Sequence, residues 1–119
     1  MSDTRTDQVL LEHLGECIER IREYTGGYDR TRFDGSRMVQ DAVVRNLQIL
    51  AESTQRLGEP LKATEPDIPW RAIAGFRNVL AHDYLGLDTA VIWSVVERDL
   101  PELASAIERM SAAAARLSE

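Results

Sequence analysis

The chain has few of the residues from which disulfides and metal sites are built. Its one cysteine, Cys17, can form no internal disulfide, which agrees with a reducing compartment. Its two histidines, His13 and His82, lie far apart, and it contains no H-x-x-x-H motif, no C-x-x-C motif and no glycine-rich phosphate loop. We therefore predict that the protein holds neither a metal ion nor another cofactor.

Long apolar segments are also missing. No run approaches the roughly 20 apolar residues that cross a bilayer, and the polar N-terminal residues lack the apolar core of a signal peptide. A chain of 119 residues is long enough for one domain. These observations predict a single domain, residues 1–119, that is located in the cytoplasm and has no membrane partner.

The charge balance is acidic, with 14 basic residues, 20 acidic residues and a net charge of −6. A surface that binds nucleic acid non-specifically is basic, so this composition argues against that class of protein but leaves room for RNA in a local cleft. Lys62 is the only lysine. All other basic residues are arginines, whose planar guanidinium groups suit phosphate oxygens.

Apolar residues in the first half of the chain recur at helical spacing. The first predicted helix begins near residues 2–4 and ends at Gly26-Gly27. A polar link from Tyr28 to Arg32 precedes a second long helix, for which Asp34 is the predicted N-cap. The apolar stripes of the two helices are Leu10, Leu14, Cys17, Ile21 and Tyr24, and Met38, Val39, Ala42, Val43, Leu47, Ile49, Leu50 and Leu57.

The second half of the chain predicts a loop from Gly58 to Asp67 and then a third helix, with Pro69 in its first turn and its end around residues 82–84. A short fourth helix is predicted from an Asp88 or Thr89 cap to about residue 98. Its inner face consists of Val91, Ile92, Val95 and Val96.

The last predicted helix starts at Pro101, which is tolerated in a first turn, after Asp99 as the cap. Its apolar stripe is Leu103, Ile107, Met110, Ala114 and Leu117. No segment shows the alternation of a strand. The sequence therefore predicts an all-α fold, an up-and-down bundle of four main helices plus one short helix.

The third helix carries a polar cluster, since residues 77–84 read Arg-Asn-Val-Leu-Ala-His-Asp-Tyr. On a helical wheel, Arg77, Asn78 and His82 lie within about 140° of one another on one face. The apolar residues form another face, which consists of Ile73, Phe76, Val79 and Leu80. Ala74, Gly75 and Ala81 share the polar face and allow a backbone or a substrate to come close. The alternative interpretation is an ordinary surface arginine and a helix-terminal histidine.

The R-x4-H-x-Y spacing from Arg77 through His82 to Tyr84 resembles the motif of the HepT-like branch of the HEPN superfamily. Ile68-Pro69-Trp70 and Leu85-Gly86-Leu87-Asp88 are also similar to that branch, and the similarity covers roughly residues 5–115. The resemblance implies an all-α fold that dimerises through the motif face. It also implies a metal-independent ribonuclease with Arg77 and His82 as catalytic residues.

The resemblance further implies a type VII HEPN/MNT toxin-antitoxin system. Its partner would be a small MntA-like nucleotidyltransferase antitoxin that adenylylates Tyr84. The family pattern also has an Arg-Asn pair and a Glu near its cleft, which correspond here to Arg45, Asn46 and Glu52. Gln48 and Ala51 depart from the Glu and Gly expected between them, and the alternative for this pair is a solvated patch.

RNA is cleaved without a metal ion when its own 2′-OH attacks the adjacent phosphorus. This reaction needs a base, an acid for the leaving 5′-oxygen and positive charge at the phosphate. His82 suits proton transfer near neutral pH, Arg77 suits the phosphate, and Asn78 and Tyr84 suit orientation of the ring or the substrate. One histidine is few for two proton transfers, so we predict a composite site in which a homodimer brings two motifs together.

A function from a different class is also compatible with the sequence. In this alternative the chain is a non-catalytic helical module that binds a nucleotide or a partner nucleotidyltransferase, and the motif cleft holds the nucleotide. Purified protein that binds AMP or ATP without cleaving RNA would favour it. Tyr84 has an alternative interpretation too, as a packed aromatic residue at a helix end with a structural role.

Overall fold

A computed structural model describes the backbone of residues 4–82 and 88–117 and the side chains of residues 5–80 and 88–116. These ranges contain helices and no strand, which confirms the all-α prediction. No helix within them is long and apolar enough to span a bilayer. The helices are α1 (Thr4–Thr25), α2 (Arg30–Asp34), α3 (Arg37–Arg56), α4 (Glu59–Lys62), α5 (Trp70–His82), α6 (Thr89–Ser94) and α7 (Leu100–Leu117), with a π-helical segment (Val95–Asp99) between the last two.

Helix α1 is central to the bundle, because it packs against both α3 and α7, while α5 packs on the other side of α3. The predicted stripe of α1 is buried from Leu10 to Ile21, and Cys17 is a core residue as expected. Tyr24 was wrongly assigned to that stripe, since 37% of it is exposed in the last turn of the helix. Gly27 follows with φ 77°, a left-handed conformation that ends α1 at the predicted place.

Two contacts join the helices at one end of the bundle, which we call the connection end. The Asp7 carboxylate in the first turn of α1 accepts a hydrogen bond from the Gly58 N–H, just after α3, at 3.0 Å. The Gln8 side chain donates to the Ala114 carbonyl near the end of α7 at 3.5 Å. The end of α1, helix α2 and the start of α3 therefore lie at the opposite end.

Helix α2 corrects the predicted polar link. Asp29 caps it by accepting the Arg32 N–H at 2.8 Å. Asp34 is the last residue of α2 and does not cap the next helix, because Ser36 Oγ accepts the Val39 N–H at 3.3 Å and caps α3 instead. A helix of five residues is too short to show apolar periodicity, so only its caps mark it in the sequence.

Two further expectations for α3 and its loop were wrong. Met38 is 80% exposed in the first turn of α3 and does not belong to the apolar stripe. The predicted loop from Gly58 to Asp67 contains the short helix α4, with Pro60 in its first turn and Leu61 buried in the core. Proline in a first turn is compatible with a helix because its missing N–H has no helical partner there.

The predicted break before Pro101 does not occur. Helix α6, the π-helical segment and α7 follow one another without interruption, and Asp99 is a helical residue rather than a cap. The Leu100 N–H donates to the Val95 carbonyl, five residues earlier, so one wide turn precedes the proline. The Asp88 cap is confirmed by its 2.8 Å hydrogen bond from the Ala90 N–H, whereas Val91 is 50% exposed rather than on the inner face.

Candidate functional site

Helix α5 is held at its start by a tryptophan. The Trp70 indole N–H lies within hydrogen-bond distance of two carbonyl oxygens, at 3.1 Å from Lys62 and 3.2 Å from Glu65. The Ile73 N–H donates to the Pro69 carbonyl at 3.0 Å, so the first helical hydrogen bond begins at the proline. These bonds fix the loop before α5, and the helix then extends from this anchor toward the motif.

The apolar face of α5 sets the direction of its polar residues. Leu80 is 2% exposed, and Ile73 and Phe76 are partly buried against the same core. Val79, which the wheel assigned to this face, is 43% exposed at its edge. Because α5 is fixed by these apolar residues, its rotation about its own axis is fixed too, and Arg77 and Asn78 lie outside the buried stripe.

Arg77 and Asn78 are brought together at the surface. The Arg77 side chain is half-buried, and its Nη1 donates to Asn78 Oδ1 at 3.4 Å, while Asn78 itself is exposed. At that length the hydrogen bond is weak, so it orients the guanidinium without occupying its remaining donors. The pair therefore presents a permanent positive charge and an amide side by side.

Of the other two residues of the predicted site, His82 and Tyr84, the structure describes only the backbone of His82. The His82 backbone forms the last residue of α5, five positions after Arg77. Its side chain and the whole of Tyr84 lie outside the described residues. The catalytic role of His82 and the modification of Tyr84 therefore stay predictions from the motif.

The second predicted pair, Arg45 and Asn46, lies on α3 with its two side chains in different surroundings. Arg45 is exposed, whereas Asn46 is 7% exposed and its Nδ2 donates to the Ala42 carbonyl, one turn earlier, at 3.0 Å. This bond satisfies a buried amide and accounts for an asparagine in the middle of a helix. A supporting role for the pair at the motif stays a prediction.

A cavity of about 230 Å³ lies beneath α5, between α3 and the start of α7. Leu47, Leu50, Ile73, Phe76 and Leu80 are among its lining residues, and Asp99 and Glu102 are its charged ones. Neither Arg77 nor Asn78 lines it. The cavity therefore lies behind the apolar face of α5 and separate from the polar residues of the motif.

The described residues contain no group of three or more histidine, cysteine, aspartate or glutamate side chains arranged to hold a metal ion. Cys17 is buried, and its burial raises the pKa of its thiol, so it remains protonated near neutral pH. The candidate chemistry in the described part of the chain therefore depends on the polar face of α5.

Comparison with known proteins gives a family for this chain. A model of the family described as "Ribonuclease HepT-like" matches residues 14–110. The chain belongs to the HepT-like ribonuclease family. Its relatives in this family include a protein of Thermococcus cleftensis named "Probable ribonuclease HepT", which is 35% identical over 89% of this chain and 96% of its own length.

A second relative, from Methanocaldococcus jannaschii, is named "Putative RNase MJ1380" and is 29% identical over 87% of this chain and 95% of its own length. Another protein of the same organism, "Gamma-glutamylcyclotransferase and putative RNase MJ0434", is 35% identical over 81% of this chain, but only 43% of its length is covered. No solved structure matches the chain. The HepT-like resemblance in the sequence is thus confirmed.

Two features of the site region were missed in the sequence. The Trp70 anchor was missed because its carbonyl acceptors lie at the end of α4 and in the loop that follows, whose shape no local pattern specifies. The close contact between Tyr28 and Arg32, described below, was missed because residues 28–32 were assigned to a link. The sequence did contain a signal for this contact. Tyr28 and Arg32 are four residues apart, and Asp29, a residue type suited to an N-cap, lies between them.

Proposed function

We propose that this chain is the endoribonuclease toxin of a type VII toxin-antitoxin system, that it cleaves RNA in the cytoplasm without a metal ion, and that Arg77 and His82 are its catalytic residues. The observation that carries this proposal is the Arg77–Asn78 pair on the polar face of α5, five residues before His82, in a chain of the HepT-like ribonuclease family.

In the proposed reaction the 2′-OH of the RNA attacks the adjacent phosphorus, and the bond to the 5′-oxygen breaks. One imidazole accepts the proton of the 2′-OH, and a protonated imidazole donates a proton to the leaving 5′-oxygen. The products are a 2′,3′-cyclic phosphate and a free 5′-OH. Arg77 binds the non-bridging phosphate oxygens and stabilises the negative charge that increases in the transition state.

The requirement for two proton transfers supports a composite site in a homodimer. Each chain contributes one motif histidine, and a two-fold axis through the motif face places two copies of Arg77 and His82 in one cleft. The partial exposure of Val79 supports contact with a second copy, because a large apolar side chain at the edge of this face loses water on association.

Substitution of the two catalytic residues tests the proposal. Arg77→Ala and His82→Ala should each lower the rate of RNA cleavage by about 100-fold or more, because each removes transition-state charge stabilisation or proton transfer. The measurement is cleavage of end-labelled cellular RNA by purified protein in EDTA, with detection of the cyclic phosphate ends.

Two matched control variants exist in the same chain. Arg71→Ala removes an exposed arginine from α5, and His13→Ala removes the other histidine; both should retain wild-type cleavage. Full activity of Arg77→Ala or His82→Ala would overturn the catalytic assignment. Wild-type protein that binds AMP or ATP but does not cleave RNA would instead support the non-catalytic binding module.

We further propose that an MntA-like nucleotidyltransferase neutralises the toxin by adenylylating Tyr84. The AMP group would add bulk and negative charge two residues from His82 and repel the RNA phosphate. Intact-mass measurement after co-expression with the nucleotidyltransferase should show an added AMP on the wild type and none on Tyr84→Phe. An increment that survives Tyr84→Phe would place the modification elsewhere.

A further inference from the structure

Negative charge is unevenly distributed along this acidic chain. Residues 19–45 carry six arginines and five carboxylates, whereas the rest of the chain carries eight basic and fifteen acidic residues. In the fold these residues form the end of α1, helix α2 and the first half of α3, away from the connection end. This part of the surface, with a net charge of +1, repels an anionic ligand less than the rest of the chain does on average.

The two aspartates of α2 are already engaged. Asp29 accepts the Arg32 backbone N–H at 2.8 Å, and Asp34 pairs with Arg30 at 3.4 Å. The guanidinium groups of Arg32 and Arg37 have no carboxylate partner among the residues that the structure describes, and both residues are exposed. These two groups are therefore available to bind the phosphates of an external ligand.

Arg32 is held in position by an aromatic ring. Its guanidinium carbon lies 4.2 Å from the centre of the Tyr28 ring, a cation–π contact. The ring contacts the guanidinium on one side, and because Arg32 is exposed, the group remains accessible to a nucleobase. The N–H groups in the guanidinium plane remain able to donate to a phosphate.

Helix α2 is fixed to the bundle beneath these arginines. Phe33 is fully buried, and its ring centre lies 5.1 Å from that of Trp93 in α6. The Gln40 side chain of α3 donates to the Phe33 carbonyl at 2.8 Å and to the Asp34 carbonyl at 3.0 Å. The arginines therefore project from a rigid support, which lowers the entropy lost when they bind a ligand.

This surface lies at the end of the bundle toward which α5 runs, because α5 starts beside α4, next to the connection end. Helix α2 packs on α6, which begins at Thr89, soon after the motif in the chain. The contour length of the chain limits the distance from the His82 Cα to the Trp93 Cα to about 30 Å. A single strand of several nucleotides spans that distance, within the site sizes of known single-strand binding proteins.

We propose that Tyr28, Arg32 and Arg37 form a docking site for single-stranded RNA beside the cleavage motif. Arg32 stacks on a base and Arg37 binds a phosphate of the nucleotides that flank the cleaved bond. This inference rests on the proposed ribonuclease function, because it assigns the site to the substrate of that reaction. Neither arginine takes part in the chemical step.

The double variant Arg32→Gln/Arg37→Gln tests this site. Its binding to a short fluorescein-labelled single-stranded RNA, measured by fluorescence anisotropy in the His82→Ala background, should weaken about tenfold. Loss of the Arg37 phosphate contact should make the slope of log affinity against log salt concentration shallower by about 0.7. In the active protein, KM for RNA should rise more than kcat falls.

The matched control is Arg56→Gln/Arg116→Gln, which removes the same charge from exposed arginines at the ends of α3 and α7. It should leave RNA binding unchanged. Equal weakening by both double variants, or no weakening by Arg32→Gln/Arg37→Gln, would overturn the docking site. If the wild type cleaves no RNA but its binding depends on Arg32 and Arg37, the proposed nuclease function fails and the docking site stands.

Discussion

At the scale of single residues, one ion pair joins two distant segments of the chain through several hydrogen bonds. The Arg109 Nε and Nη2 atoms donate to the Glu65 carboxylate, with a shortest distance of 2.6 Å. The pair joins α7 to the loop before α5, across 44 residues of sequence. Hydrogen bonding from Arg109 lowers the pKa of the Glu65 carboxyl group.

This shift predicts how the pair contributes to stability as pH changes. The folded pKa of Glu65 lies below its unfolded value, so the stabilisation is complete above the unfolded pKa, about 4.3, and is lost as pH falls through the folded pKa. Since 59% of the Arg109 side chain is exposed, solvent screens the pair. We therefore expect only a small contribution at neutral pH, as for other exposed ion pairs.

The measurement is the free energy of unfolding of wild type and Glu65→Gln by urea titration from pH 7 down to pH 3. The stability difference should shrink toward zero at the lowest pH. Glu108→Gln, which removes an exposed carboxylate from α7, controls for the change in net charge. A difference that stays constant or grows as pH falls would contradict the assigned role of the pair.

At the scale of helices, the continuous path from α6 into α7 gives a prediction about Pro101. In a first turn, proline costs little, but in a helix interior its missing N–H leaves a carbonyl without its partner. Because the helix continues through the π-helical segment, Pro101→Ala should raise the free energy of unfolding by about 1–3 kcal/mol.

Thermal and urea unfolding of Pro101→Ala check this prediction. Pro60→Ala is the matched control, because Pro60 is also exposed and lies in the first turn of α4, where proline is tolerated; its effect should be small. If Pro101→Ala is neutral or destabilising, a helix start at that proline, as first predicted from the sequence, describes the protein better.

Long helices were predictable because their signals are local. Leu10, Leu14, Cys17 and Ile21 repeat at intervals of four and three, and all four are buried. Helix α2 and the π-helical segment were not predictable in this way, because five residues are too few to show apolar periodicity. Helix α2 also depends on contacts with a distant part of the chain. The Phe33–Trp93 contact, for example, joins residues 60 positions apart.

The candidate site was predictable to a similar extent. The motif identified Arg77 and Asn78 and the family, since their spacing is a local property of the sequence. It did not reveal that Asn46 turns inward and donates to Ala42, because the direction of a side chain on α3 depends on how the helix packs. Burial and hydrogen bonding therefore had to come from the structure.

At the scale of the whole molecule, the two ends of the bundle differ in role. The connection end contains Asp7–Gly58 and Gln8–Ala114, which hold the helices together. The other end has residues 19–45, whose net charge is +1, and helix α2, which packs on α6 just after the motif. The proposed RNA-docking residues therefore lie away from these two hydrogen bonds, so their substitution should leave both bonds intact.

The central claim is that motifs from two copies of the chain share one cleft, and mixed dimers test it most directly. Wild-type and His82→Ala protomers, carrying different affinity tags, are co-expressed and the mixed dimer is purified. That dimer retains only one His82, so we expect it to cleave RNA near the low rate of the His82→Ala homodimer, because one of the two proton transfers is lost. Mixed dimers of confirmed composition that keep about half of the wild-type rate would contradict the shared cleft, because each chain would then act alone.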